Sequence, residues 1–242
     1  MAEDKAATLG HPSYVWRFGQ DRRLDLIRRW APLEGKRVLD VGCGLGMYMR
    51  KMRTFTPDVY GVEIDLERAA EAGRELSLVA CAAAEVLPFP DASFDVVLSH
   101  EMIEHVQDDR RTVAEAIRVL RPGGRLVLFC PNRLYFFETH GCYWRGRYRE
   151  GIVPLINWLP DPLRDRLAPH VRAYTRGGLR RLFDGLPARI VHHTQIYPGY
   201  DNIVYARPRL GWLLRRVTYA FERTPLRVFG LSHFLVAERL PT

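Results

Sequence analysis

Val38-Leu39-Asp40-Val41-Gly42-Cys43-Gly44-Leu45-Gly46 is the stretch that decides how this chain folds. A short run suited to a buried parallel strand breaks into three glycines at alternate positions. Glu34-Gly35-Lys36 ahead of it has the composition of a turn, and Met47 to Met52 behind it have helix-compatible spacing. Strand, tight loop and helix in that order leave backbone N–H groups beside a loop without β-carbons, so a ligand can approach the main chain itself. Tyr60-Gly61-Val62-Glu63 ends the next predicted strand. Its carboxylate stands about 20 residues on, the distance at which an acid meets a ribose in dinucleotide sites.

Two ligand classes suit that arrangement, a dinucleotide and S-adenosylmethionine. The glycine spacing is G-x-G-x-G rather than G-x-G-x-x-G, and Asp40 stands just before the loop. An aspartate there repels a pyrophosphate and attracts an ammonium and a sulfonium. The stretch resembles motif I of the class I S-adenosylmethionine-dependent methyltransferases, in particular the type 11 small-molecule family. The likeness continues in register through Glu63, through Ala83-Ala84-Glu85-Val86-Leu87-Pro88-Phe89, and through the turn Leu120-Arg121-Pro122-Gly123-Gly124, covering about residues 36 to 131.

The resemblance implies an α/β, Rossmann-like, doubly wound sheet of seven strands, mainly parallel with the last strand antiparallel. Residues 1–35 are expected to form an N-terminal lid helix, with Tyr14 and Arg17 near the cofactor, and residues 36–242 the methyltransferase domain. The implied cofactor contacts are Asp40, Gly42, Cys43, Gly44 and Gly46 on the loop, and Glu63 and Ile64 at the ribose. Ala84 and Glu85 stand on the adenine side, and Ser99 and His100 after the fourth strand. Asp65 is expected to cap the helix that follows Glu63. Ala83 stands where the family commonly carries aspartate, so the adenine amine has to be met by the backbone of Ala84 and Glu85. Met102, Ile103 and Val106 read as core-facing, and His105 as a helix surface residue.

The rest of the chain sets bounds. A length of 242 residues with 47% hydrophobic and 26% charged side chains suits one large soluble α/β domain. Four cysteines, none in a C-x-x-C pair or with histidine at zinc-ligand spacing, argue for a reducing compartment and no metal. The acidic start does not read as a signal peptide, and no apolar run is long enough to span a bilayer, so a cytoplasmic protein is expected. Residues 1–130 carry 18 basic and 20 acidic groups, whereas residues 131–242 carry 18 arginines, no lysine and 8 acids. The entire positive excess therefore lies beyond the cofactor motifs, in forks that suit phosphate or carboxylate.

Two segments exceed ordinary connections, 131–174 and 197–232, and both leave the carboxyl ends of parallel strands. They are expected to meet above the cofactor's methyl group as a cap that selects the acceptor. Thr175 caps a helix to about Phe183, Ala188 to Ile196 is the sixth strand, and His233 to Glu238 the last. Glu138 and His140, on the segment leaving the fifth strand, are the expected catalytic pair, with His140 as general base and Glu138 orienting it. His170 is a second candidate. Arg207 to Arg223 reads as a basic amphipathic segment, with Leu210, Leu213, Leu214, Val217 and Phe221 among Arg215, Arg216 and Arg223, suited to peripheral contact with the inner face of a membrane.

The expected activity is methyl transfer from S-adenosylmethionine, with S-adenosylhomocysteine as product, to a small-molecule or lipid-linked acceptor. The acceptor is expected to be of glycan-lipid or isoprenoid/quinone type, methylated at oxygen. Two other classes stay open. An RNA methyltransferase accounts for the arginines through phosphate contacts, though the chain shows no Asn-Pro-Pro-Tyr-like or cytosine-type cysteine motif. A non-catalytic S-adenosylmethionine-binding protein accounts for Ala83.

Overall fold

Alternating strand and helix signals build a three-layer α/β sandwich in the computed structural model, which describes residues 15–241. Tyr14 lies outside the described residues. The main sheet has seven strands: β1 (Val38–Val41), β2 (Val59–Glu63), β3 (Val79–Cys81), β4 (Phe94–His100), β5 (Leu120–Pro131), β6 (Ala188–Ile196) and β7 (Ser232–Arg239). Their spatial order is β6-β7-β5-β4-β1-β2-β3, and β7 alone runs antiparallel to its neighbours. The order reverses between β1 and β4, which opens a crevice at their carboxyl ends where open α/β sheets take ligands.

Period two along β5 shows why both faces are covered. Leu126 and Leu128 join the core on one side, with Val113, Ala116 and Ile117 of α4 (Asp109–Val119). Val127 and Phe129 join the other, with Leu24 and Ile27 of α1 (Phe18–Trp30) and Met49 and Met52 of α2 (Met47–Met52). Each fully buried side chain of this size stabilises the sandwich by about 1.5–3 kcal/mol. In α3 (Leu66–Glu75), the Asp65 carboxylate accepts the Arg68 N–H at 2.9 Å, closing the first turn as the sequence predicts.

Three differences from the sequence reading bear on function. Strand β4 runs on through Ser99 and His100 instead of ending before them. Residues 101–107 form turns and bends rather than a helix, so His105 is half-buried under the fold and not on a helix surface. Glu101 enters that turn with φ +50°, which swings its side chain back toward α1.

The segment 131–174 folds into small pieces around its own core of Cys142, Ile156, Ala168 and Val171. Phe137–Glu138 pairs with Val153–Pro154, Cys142–Trp144 pairs with Arg147–Arg149, and α5 (Asp161–Leu167) closes the unit. After α6 (Arg176–Arg181), capped by the Thr175 hydroxyl, and β6, the segment 197–232 adds α7 (Asp201–Ala206) and α8 (Pro208–Phe221). The two segments touch through the rings of Phe136 and Phe229, 5.4 Å apart. The second also holds α1, because Asp201 accepts the Gly19 N–H at 3.2 Å and Arg22 pairs with Glu222.

Candidate active site

The crevice is a single cavity of about 720 Å³ running from the glycine loop to His140. Its first half is made by β1, β2 and the loops behind them. Gly42 and Cys43 donate their N–H groups to the Val62 carbonyl at 2.8 and 3.0 Å, which ties the loop to the end of β2. Glu63 then reaches across, one oxygen accepting the Gly44 N–H at 2.9 Å and the other the Asp65 N–H at 3.0 Å. A carboxylate has about four acceptor positions, so two remain for hydroxyl donors from a ligand. Gly44 has φ +54° and no atom within 4 Å of where a β-carbon would be, so its outer side is open cavity. Gly42 and Gly46 serve packing instead: β-carbons there would stand 2.3 Å from Met102 Cγ and 2.2 Å from Leu76 Cδ1.

Asp40, at the base of this half, is buried and has no cationic partner among the described residues. Burial, reinforced by the negative charge of Glu63, pushes its carboxyl up to about 7. An unpaired buried acid of this kind awaits a positive charge. On the opposite wall, Ala82 to Glu85 bring mostly backbone and methyl groups. Glu85 is turned outward, where it accepts the Gln107 N–H at 2.9 Å.

A second network fixes the middle. Arg23, from α1, donates to Glu101 at 2.7 Å, to the Ser232 hydroxyl at 2.9 Å and to His100 Nε2 at 2.7 Å. Tyr48 Oη stands 3.1 Å from the same His100 nitrogen. Burial and the guanidinium push His100 down to about 3, so it is a neutral acceptor at any ordinary pH. Burial works to raise Glu101, but Arg23 outweighs it and holds that carboxyl down to about 2.

The far wall is His140. Its Nδ1 lies 2.9 Å from Glu138 Oε1, and its backbone N–H donates to the same oxygen at 2.9 Å. Glu138 is buried and is itself held by Arg164, whose Nη2 donates to Oε2 at 3.3 Å. Arg164 is only 3% exposed and spends its other donors on Asn157 at 3.3 Å and the Val171 carbonyl at 2.9 Å. Tyr148 donates to the His140 carbonyl at 2.7 Å. The imidazole is therefore fixed at ring and backbone, with Nε2 the nitrogen left to face the cavity. Burial opposes ionisation of Glu138, yet the bond to His140 and the charge of Arg164 bring its carboxyl below the usual range.

Glu104 and His105 complete that wall. Glu104 is 1% exposed, its carboxyl raised well above normal by burial and by Glu101, and no donor reaches either oxygen. His140 Nε2 is 3.9 Å from it. His105 is lowered to about 4 by burial and by the neighbouring His140.

Of the residues expected at the site, Asp40, Gly42, Cys43, Gly44, Glu63, Ile64, Ala84, Glu85, His100 and His140 line the cavity. Gly46, Ser99 and Glu138 do not line it: Gly46 packs on Leu76, Ser99 is buried in β4, and Glu138 acts only behind His140. Arg17 binds Asn202 at 2.7 Å; from α1 the cavity receives Gln20 instead. His170 contacts the His140 carbonyl at 3.0 Å and is absent from the lining. No residue of 197–232 lines it and only His140 of 131–174 does, so the two segments do not meet over the cavity as a cap: among the described residues the rest of the acceptor wall comes from residues 100–111. Sequence reasoning missed Arg23, Tyr48, Glu101 and Glu104. The one available signal was Glu101-Met102-Ile103-Glu104-His105, three ionisable groups in five residues directly after a buried strand.

Comparison with known proteins agrees with this geometry. A family model described as a methyltransferase domain matches residues 39–128. A ubiquinone biosynthesis O-methyltransferase of Aromatoleum aromaticum is 37% identical over 130 residues, covering 49% of this chain and 55% of that protein. A 27-O-demethylrifamycin SV methyltransferase of Amycolatopsis mediterranei is 37% identical over 136 residues, covering 52% of this chain and 47% of the other. The chain thus spans about half the length of the curated relatives it matches. In three dimensions, an S-adenosylmethionine-dependent methyltransferase from Mesorhizobium loti superposes with a TM-score of 0.62 at 23% identity, covering 89% of this chain and 96% of that one, a likeness of fold.

Proposed function

We propose, from the premise that this chain belongs to the class I S-adenosylmethionine-dependent methyltransferases, that it methylates a hydroxyl oxygen of a small-molecule or lipid-linked acceptor of quinone, isoprenoid or glycan-lipid type. One observation carries the reading. A single cavity is bounded at one end by the glycine loop and Glu63 and at the other by an imidazole locked on a buried carboxylate.

S-adenosylmethionine supplies a methyl group on a positively charged sulfur and leaves as S-adenosylhomocysteine. The residues fit it. Asp40 offers a buried negative charge to an ammonium, Glu63 keeps acceptor positions for ribose hydroxyls, and Gly44 leaves its outer face clear. The adenine meets methyl groups and backbone at Ala83 and Ala84. His140 Nε2 faces the acceptor and takes the hydroxyl proton as the new C–O bond forms. The electron pair of the broken C–S bond stays on sulfur. The rest of the catalysis is placement and exclusion of water by the wall that His140 forms with Met102, His105 and Val106.

The relatives' names support oxygen as the target, since one is an O-methyltransferase of ubiquinone biosynthesis and the other acts on 27-O-demethylrifamycin SV. Peripheral membrane contact belongs to the same reading. Trp212, Leu213 and Val217 of α8 are 62%, 58% and 40% exposed, and Arg209 and Arg216 are exposed beside them. Arg215 does not share that face, being buried against Asp201 at 3.0 Å. No helix of the described residues is long and apolar enough to cross a membrane.

The test is a transfer assay with methyl-labelled S-adenosylmethionine on a cell extract, followed by mass spectrometry. Label in a small or lipid-extractable molecule supports the proposal. Label that disappears on nuclease treatment points to RNA, and binding of S-adenosylhomocysteine without any transfer points to a non-catalytic binder. For the membrane part, Arg209→Glu/Arg216→Glu should lose co-sedimentation with anionic vesicles, and a parent chain that never sediments refutes that contact.

A further inference from the structure

We propose that Glu104, His105 and His140 form a binding site for one divalent transition-metal cation in the acceptor half of the cavity. Each offers one ligand atom, and the three lie within 4.8 Å of one another. Around a cation held at about 2.1 Å, ligand atoms stand roughly 3–3.6 Å apart. The 3.9 Å between His140 Nε2 and Glu104 Oε1 therefore needs to close by less than about 1 Å, within the reach of a side-chain rotation.

Three independent features point to a cation rather than to structural polar packing. The first is the state of Glu104. A carboxyl group 1% exposed with no donor on either oxygen among the described residues is an arrangement that a bound cation completes. The Arg23 guanidinium is already committed to Glu101, Ser232 and His100.

The second is the orientation of both imidazoles. His140 gives Nδ1 to a buried carboxylate, leaving Nε2 toward Glu104. His105 has Nδ1 buried and without a partner, while its ring is also bonded to the backbone of His170. A ligating histidine characteristically has its other ring nitrogen held by a carboxylate or a carbonyl, which sets the tautomer and turns the lone pair to the metal. The third is position. His105 and His140 line the cavity, so two histidines and one carboxylate on one side leave coordination positions open toward the acceptor.

The site rests on the reading of the cavity as an acceptor pocket and changes one part of it. With a cation bound, His140 Nε2 is a ligand. The acceptor's hydroxyl then loses its proton to water because its oxygen is on the cation, which lowers its pKa. Methyl transfer to that oxygen otherwise proceeds as before. Cysteine spacing, which argues against a metal, gives no sign of this site, because its ligands are an acid and two histidines from two segments.

Tag-free protein stripped with chelator and titrated with Mn²⁺ by calorimetry should bind one equivalent. Glu104→Gln and His105→Gln should each weaken binding by at least fiftyfold, and Glu138→Gln, behind His140, by 10- to 100-fold. Co²⁺ should give visible d–d bands without thiolate charge transfer. S-adenosylhomocysteine affinity, measured on the same stripped samples, should change less than threefold, which also shows that the variants are folded. Absence of a Mn²⁺ isotherm in the parent, or equal binding in Glu104→Gln, overturns the site and leaves Glu104 a neutral acid beside His140. Thiolate bands overturn it by placing cobalt on a cysteine. Failure of the parent to bind S-adenosylhomocysteine is a separate result, and it counts against the cofactor reading instead.

Discussion

Replacing Gly44 by alanine separates ligand binding from folding at this site. The residue has φ +54°, so a β-carbon costs about 1–2 kcal/mol of backbone strain. Nothing lies within 4 Å of that β-carbon, so no packing cost is added. For a domain of this size the strain lowers the melting temperature by roughly 2–8 °C. The new methyl projects about 1.5 Å into the cavity. A ligand lying on the loop is pushed off by that distance, which takes its hydroxyls out of reach of Glu63. Loss of charge-assisted hydrogen bonds at about 1.5–3 kcal/mol each weakens binding by a factor on the order of 100 or more. Gly42→Ala is the control. It carries similar strain at φ +77°, but its β-carbon meets Met102 Cγ at 2.3 Å, adding an overpacking cost of about 1–3 kcal/mol. Thermal melts and calorimetry with S-adenosylhomocysteine read both quantities. If Gly44→Ala melts as expected and still binds within threefold of the parent, the ligand does not lie on this loop and the cofactor placement is refuted.

Three other outcomes follow from the same geometry. Glu63→Ala should cost about 1.5–3 kcal/mol of S-adenosylhomocysteine affinity, and a loss of only a few tenths would move the ribose elsewhere. Asp40 is held up to about 7 in the folded protein against about 3.9 when unfolded, so the ligand-free fold binds the extra proton and loses stability as pH rises from about 4 to 7. The ammonium group of the ligand favours the ionised form, so affinity for S-adenosylhomocysteine should rise by up to roughly fiftyfold between pH 5 and 7 and then level off. Asp40→Asn should flatten both curves, and a parent affinity independent of pH would sink the assignment. Arg164→Met leaves Glu138 buried beside His140 without its guanidinium, so the fold should lose about 3–5 kcal/mol, read as denaturant midpoint. An unchanged midpoint would show that the pair does not anchor the 131–174 unit.

What the sequence determined by itself is whatever depends on neighbours along the chain. Val38–Val41 as strand, Met47–Met52 as helix, the Asp65 and Thr175 caps and Ala188–Ile196 as strand all rest on periodicity and on side chains bonding backbone three residues away. The loop between β1 and α2 was legible for the same reason, since alternate glycines and the acid ending β2 are local signals. The pairing of His140 with Glu138 was legible too, because a single residue separates them.

The rest was decided by tertiary structure, through contacts that no local pattern encodes. Arg164 meets Glu138 across 26 positions of the chain, and Arg23 meets Glu101 across 78. Met102, Ile103 and Val106 suggest a helix with His105 on its surface, and the turn that buries Glu104 and half-buries His105 is set by tertiary packing instead. Likewise the arginines of the second half looked uniform as composition. Only folding distinguished Arg215, buried on Asp201, from Arg216, left in water. A side chain's charge is written in the sequence, but its desolvation and its partner are properties of the packed chain, and those two quantities set what the group can do.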